Sequence, residues 1–296
     1  MIKKLTENKT ALSIFLLIFL AIIWGSSFIL IKRSLLAFDY LQVAALRVGI
    51  TMLWFLPFVF VQFKKVKNRK TYRFLLIMGL FGNAIPAFLF PLAQTEIDSS
   101  LAGILNSCTP IFVMIMGALF FNTTPSRNKI IGVLFGLLGA ALLILYGQNG
   151  LSNGNSWYAI FALLAAVCYA ISTNVIKEYL QDLPAITTTS IAFLFVGPIA
   201  WVYLFSSDFI HVMQTDENAW LSLMSVSALA TFGTALATLL FVKLIQMTSA
   251  VWGAMVTYLI PIVAIFFGFL DGEMITLWHG IGITLILFGV YLAKGK

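Results

Sequence analysis

Charge is what this sequence has least of. Of its 296 residues only 10% are Asp, Glu, Lys or Arg, while 61% are hydrophobic and the mean hydropathy is +1.01. That balance excludes a water-soluble domain and points to an all-α chain with many passes through a membrane. Histidine occurs twice, at His211 and His279, both near the outer surface in the topology below, so a membrane hydrolase or metalloenzyme has no evident base or ligand set. The two cysteines, Cys108 and Cys168, lie in apolar segments without CxxC spacing or a nearby His, and read as inert packing residues. The P-loop pattern GxxxxGK[ST] is missing, which argues against ATP as the driving force, and no cofactor or metal is expected. No Asp or Glu falls at mid-depth in any apolar block, so the simplest carrier of a coupling proton is missing too. The net charge of +7 is scattered between apolar blocks instead of clustered on one face, which argues for a lipid bilayer and against nucleic acid as a partner.

A hydrocarbon core takes roughly 20 apolar residues per helix. Blocks of that kind run over 11–36, 40–62, 74–95, 98–121, 129–147, 156–180, 184–205, 218–243, 248–270 and 275–293. The expectation is therefore ten transmembrane helices. The opening MIKK resembles the start of a signal peptide, but the apolar run continues to about Leu36 without a small-residue cleavage site and reads as the first span. Joints such as KKVKNRK (64–70), NTTPSRNK (122–129) and GQNGLSNGN (147–155) separate the blocks. With both termini in the cytoplasm, all of the 18 Lys and Arg except Lys32, Arg33 and Arg47 fall on the inner side. The outer side collects Asp39, Glu96, Asp98, Asp208, Asp216, Glu217, Asp271 and Glu273. This segregation puts the protein in the cytoplasmic (inner) membrane as a multi-pass chain.

The blocks also repeat. IIWGSSFILIK at 22–32 lies over VCYAISTNVIK at 167–177 at an offset of 145, which pairs Trp24 with Tyr169, Gly25 with Ala170 and Ser27 with Ser172. At an offset of 151, FGN (81–83) meets FGT (232–234), and Asn106 with Pro110 meets Thr257 with Pro261; Gly132 and Gly139 meet Gly282 and Gly289 at 150. Collinear matches at nearly one offset indicate two five-helix repeats, 11–147 and 156–293. Five is odd, so the second repeat is inverted relative to the first, a construction that places a cargo site at the repeat interface near the midplane. At about 1.5 Å per residue most of the matched polar and aromatic residues lie roughly 13 to 24 Å into their spans.

WGSSFILIK in span one, Arg47 within AALRVGI in span two, SSLAGILNSCTPIF across span four, and the GVLFGLLGAALL and GIGITLILFGVYLA endings resemble the EamA-type branch of the drug/metabolite transporter superfamily. The resemblance covers essentially the whole chain. It implies ten helices in two inverted repeats, a central cavity lined by most spans except the fifth and tenth, and movement of small metabolites. One departure is visible: the Glu that commonly follows the fourth and ninth spans has a counterpart in Glu273 of FLDGEMIT but none in FFNTTPS.

Each candidate residue admits two readings. Pro110 and Pro261 lack an N–H, so the carbonyls of Asn106 and Thr257 lose their helix partners. Those carbonyls are either satisfied inside a stable kink or offered to cargo at a rocking point. Trp24 and Tyr169 either pack or stack on a planar or cationic cargo, while Gly25, Ser26 and Ser27 suit close helix approach. Arg47 either pairs with Asp39, Glu96 or Asp98, or faces the cavity and attracts a carboxylate or phosphate. Asn83, Asn106 and Asn174 are interhelical glue or cavity contacts, the first two with polar counterparts in Thr234 and Thr257. Gly132, Gly136, Gly139 and Ala140 form a small-residue face that would suit a second copy of the protein.

The expected function is secondary transport of a small organic solute, such as an amino acid, by alternating access, in the direction of export. A non-transporting receptor or scaffold has the same composition, and a lipid-acting membrane enzyme would need an interfacial His, Asp, Glu or Ser cluster that the sequence does not display.

Overall fold

A backbone in lipid can satisfy its polar groups only within its own segment, so the apolar blocks fold as helices. The computed structural model describes residues 2–97, 99–145, 156–270 and 277–293. Its N-terminal part comprises α1 (Ile2–Ser34), α2 (Tyr40–Phe63), α3 (Thr71–Gly79), α4 (Ile85–Gln94), α5 (Ser99–Asn106), α6 (Thr109–Phe120) and α7 (Arg127–Leu145). The C-terminal part comprises α8 (Ala159–Tyr179), α9 (Ala185–Ser206), α10 (Phe209–Thr215), α11 (Ala219–Ala228), α12 (Ala237–Met247), α13 (Ala250–Ala254), α14 (Val256–Leu270) and α15 (Leu277–Ala293). Among the described residues 6 helical stretches are long and apolar enough to cross a membrane, for example Tyr40–Phe63 and Thr71–Gln94, and shorter apolar helices accompany them. The chain is a multi-pass membrane protein.

Several expected blocks are not continuous α-helices. A π-helical segment, Leu80–Ala84, joins α3 to α4, and another, Leu229–Leu236, joins α11 to α12. Each contains the polar member of the FGN/FGT pair. The Asn83 amide donates to the Met78 carbonyl and the Thr234 hydroxyl to the Leu229 carbonyl, both five residues back, which is the reach of a π turn. The fourth block is interrupted at Ser107 and Cys108, so Pro110 falls in the first turn of α6, where its missing N–H costs little, instead of kinking a helix interior. In the ninth block the interruption is at Met255, and Pro261 stays inside α14. The short α10 occupies the stretch expected as a loop between the seventh and eighth blocks.

Small residues set the helix contacts, as expected where lipid is as apolar as a helix face. Gly132 of α7 meets the backbone of Gly289 and Ala293 on α15, and Gly139 meets Gly282 and Ile286 there. Gly136 lies against the ring of Tyr258, whose hydroxyl donates to the Val133 carbonyl at 2.8 Å. The small-residue face expected to suit a second copy is thus covered within the chain. Between α2 and α9 the packing is similar, with Gly49 under Trp201 and Gly197 under Met52.

The N-terminus of α2 accounts for Asp39. Its carboxylate accepts from the Gln42 N–H at 2.7 Å while the Gln42 side chain accepts from the Asp39 N–H, a capping box. Gln42 also donates to Asp208 at 2.6 Å, tying α2 to the end of α9. Asp39 is therefore a helix cap and not the partner expected for Arg47.

Candidate functional site

Trp24 and Tyr169, matched in sequence, each meet a phenylalanine from the other part of the chain. Trp24 of α1 stands edge-on to Phe241 of α12 with ring centroids 5.0 Å apart, and its indole N–H donates to the Gly233 carbonyl at 2.9 Å. Tyr169 of α8 stacks with Phe90 of α4 at 5.9 Å. Phe90 and Phe241 are themselves separated by the offset of 151 that relates FGN to FGT. Close by, Ser27 of α1 lies against Gly233 in one π segment and Ser172 of α8 against Gly82 in the other.

These pairs border one cavity. Its wall includes Trp24, Ser27, Phe28 and Ile31 from α1, Tyr169, Ser172, Thr173 and Ile176 from α8, and Arg47 from α2. Asn83 and Gly82 contribute from the first π segment, Gly233 from the second, with Phe90, Thr238 and Phe241 beside them and Thr109 and Thr257 at the starts of α6 and α14. Neither α7 nor α15 supplies a described wall residue. The wall is an apolar and aromatic shell studded with hydroxyls, one amide and one guanidinium, the usual make-up of a small-molecule site.

Arg47 is nearly buried, with 8% of its surface exposed. Its Nε donates to the Thr234 hydroxyl at 2.7 Å, and its guanidinium stands beside the Tyr169 hydroxyl. Thr234 passes on to Leu229, so the arginine is oriented by the π segment. One turn further along α2, Thr51 donates to the carbonyls of Arg47 and Ala230, which fixes α2 against the same segment. Of the other partners expected for Arg47, Asp98 lies outside the described residues; so does Glu273, the residue matched to the Glu that commonly follows the ninth span.

Trp24, Arg47, Asn83, Tyr169 and Thr257 thus converge on the cavity. Thr234 stands behind Arg47, off the wall. Asn174 is interhelical glue: its amide donates to the Val113 carbonyl of α6 and to Ala170, both at 3.0 Å. Asn106 sits at the helix interruption, where its carbonyl, the one Pro110 leaves without a partner, accepts from the Thr109 hydroxyl at 2.6 Å. The carbonyl left by Pro261, that of Thr257, accepts from the Ser107 hydroxyl at 3.1 Å. Both proline-freed carbonyls are therefore bonded by hydroxyls, and neither depends on cargo. Ser172, Thr173, Thr109, Thr238, Phe28, Phe90 and Phe241 are wall residues that the residue-by-residue reading missed. The offset of 151 applied to every aromatic would have found the Phe90/Phe241 pair, and the Ser27/Ser172 match already stood in the sequence without being read as cavity wall.

Known proteins resemble this chain along its length. The EamA-like transporter family model matches residues 11–145 and again 156–294. An uncharacterized transporter of Archaeoglobus fulgidus is 27% identical over 274 residues, which is 92% of this chain and 95% of that one. A probable amino-acid metabolite efflux pump of Salmonella typhimurium is 25% identical over 298 residues, covering 94% of this chain and 93% of its own. One crystal structure superposes with a TM-score of 0.68 at 16% identity over 97% of this chain and 96% of that one, a likeness of fold. Since the two matched stretches take in nearly all of its residues, this chain belongs to the EamA-like transporter family.

Proposed function

We propose that the protein is a secondary transporter that exports a small organic solute across the cytoplasmic membrane by alternating access. In this reading ten spans form two inverted repeats, 11–147 and 156–293, with both termini in the cytoplasm, and the cargo site is the cavity that holds Trp24, Arg47, Asn83, Tyr169 and Thr257. The observation that carries it is the matched construction of the wall: Trp24 with Phe241 and Tyr169 with Phe90, each pair made across the two parts of the chain. A wall assembled from two bodies opens to alternate sides when one body rocks against the other. The interrupted helices at Pro110 and Pro261 are where we assign that rocking, with their carbonyls held by Thr109 and Ser107 during it. Amino acids and comparable metabolites fit the proposed cargo class, as the name of the Salmonella relative suggests for that protein.

Counterflow in proteoliposomes from a pooled metabolite mixture, with and without a pH gradient, tests the reading. Accumulation of at least one component is expected; no accumulation under either condition returns the scaffold alternative. Topology is tested separately in a background lacking Cys108 and Cys168. A cysteine at Gln214 is expected to react with an impermeant reagent in intact cells and one at Asn68 to be protected.

A further inference from the structure

We infer that the cargo is an organic monocarboxylate whose carboxylate is read by Arg47, a deepening that rests on the transporter reading of the same cavity. Among the described wall residues Arg47 is the one charged group, and none is Asp or Glu. A guanidinium cannot shed its proton, so a nearly buried one needs either water or an anion. Its described partners, the hydroxyls of Thr234 and Tyr169, orient it but carry no charge to balance it. With Nε held by Thr234 and the Tyr169 hydroxyl beside the guanidinium, each Nη still keeps an N–H, and together these form a planar fork whose spacing matches the two oxygens of a carboxylate.

The rest of the wall narrows the class. A cation would meet like charge and no counter-charge there. A phosphate dianion would need a second cation, which the described wall does not supply. Phe28, Phe90 and Trp24 give an apolar body its surroundings, so the ligand is an anionic head on an aryl or alkyl body. The described wall offers an amino group neutral acceptors and no counter-charge.

The test uses the purified full-length protein and three matched probes: 3-phenylpropionate, its amide and 3-phenylpropylamine, titrated calorimetrically. The propionate is expected to bind roughly tenfold or more tighter than the amide, the increment of a hydrogen bond made to a charged group, with the amine weakest. Arg47→Gln is expected to bring the propionate to the level of the amide and leave the amide unchanged. If that variant does not fold, Arg47→Lys keeps the charge without the fork, and a several-fold drop in the propionate-to-amide ratio is expected. A propionate that binds wild-type protein no tighter than the amide, including binding of neither, overturns the inference, as does a ratio unmoved in the folded variant. Counterflow separates the two readings: flux of a cargo lacking a carboxylate sinks this inference alone, and propionate selectivity without flux of any solute sinks the transporter reading alone.

Discussion

Ser172 of α8 holds its hydroxyl oxygen where a methyl group on Gly82 would have to stand. The mirror arrangement places Ser27 of α1 against Gly233. Both glycines are in π segments, so each seam joins one helix to an irregular turn of the other part of the chain. Gly82→Ala is therefore expected to destabilise the protein by about 1–3 kcal/mol through overpacking, read as a lower midpoint of thermal unfolding in detergent. Removing the obstructing oxygen with Ser172→Ala is expected to restore much of the loss. A double variant no more stable than Gly82→Ala alone would show that the seam is not tightly packed.

Thr234 is expected to act through Arg47. Thr234→Val keeps the side-chain shape and leaves Nε of a buried guanidinium without its acceptor, a change of about 1.5–3 kcal/mol for a hydrogen bond to a charged group. In an Arg47→Met background the same substitution is expected to cost less than about 1 kcal/mol, because no charge remains to be oriented. Equal costs in the two backgrounds would reject the coupling.

How much of this was legible in the residues differs by kind of feature. Apolar blocks and their offsets reported the helical chain, its membrane environment and the pairing of Trp24 with Tyr169, because length and periodicity are properties of local sequence. The π segments were not legible: FGN and FGT stood out as a repeat, but nothing in three residues says that the helix widens there. Asn106, Asn174 and Thr234 resembled Asn83 in depth and polarity, yet they lie off the cavity wall: Asn174 donates to a backbone carbonyl, Thr234 accepts from Arg47, and Asn106 accepts from the Thr109 hydroxyl. Depth follows from sequence position, whereas rotation about the helix axis depends on neighbours. Gly132, Gly136 and Gly139 showed a packing face in the sequence, and only the fold showed that its occupant is α15 together with Tyr258.

The Ser107 hydroxyl is expected to matter more while Pro261 is present. Pro261 removes the N–H that would serve the Thr257 carbonyl, and Ser107 donates to that carbonyl across the helix boundary. Ser107→Ala leaves a buried acceptor unsatisfied, an expected loss of about 1–3 kcal/mol. Pro261→Ala returns an N–H within α14, so the serine substitution in that background is expected to cost less by about 1 kcal/mol. A thermal-unfolding double-mutant cycle measures the difference; additive values would place the stabilising role of Ser107 at the Gly103 carbonyl, its other acceptor at 3.0 Å.

Two glycines on one helix give a controlled comparison. A methyl group on Gly289 of α15 would run into the carbonyl of Gly132 and the backbone of Gly136, atoms that can move only if α7 moves. At Gly280, on the same helix, a methyl group meets nothing within 4 Å. Intrinsic helix propensity favours alanine over glycine by about 1 kcal/mol at either position. Gly280→Ala is therefore expected to be neutral or stabilising, and Gly289→Ala to lose about 1–3 kcal/mol net as the backbone contact is forced apart. Because α7 and α15 lend no described residue to the cavity wall, the folded fraction of the Gly289 variant is expected to bind cargo as wild type does. Matched thermal unfolding midpoints for the two variants would reject close α7–α15 packing as a source of stability. A binding defect in the folded Gly289 variant would instead show that this packing is coupled to the cavity.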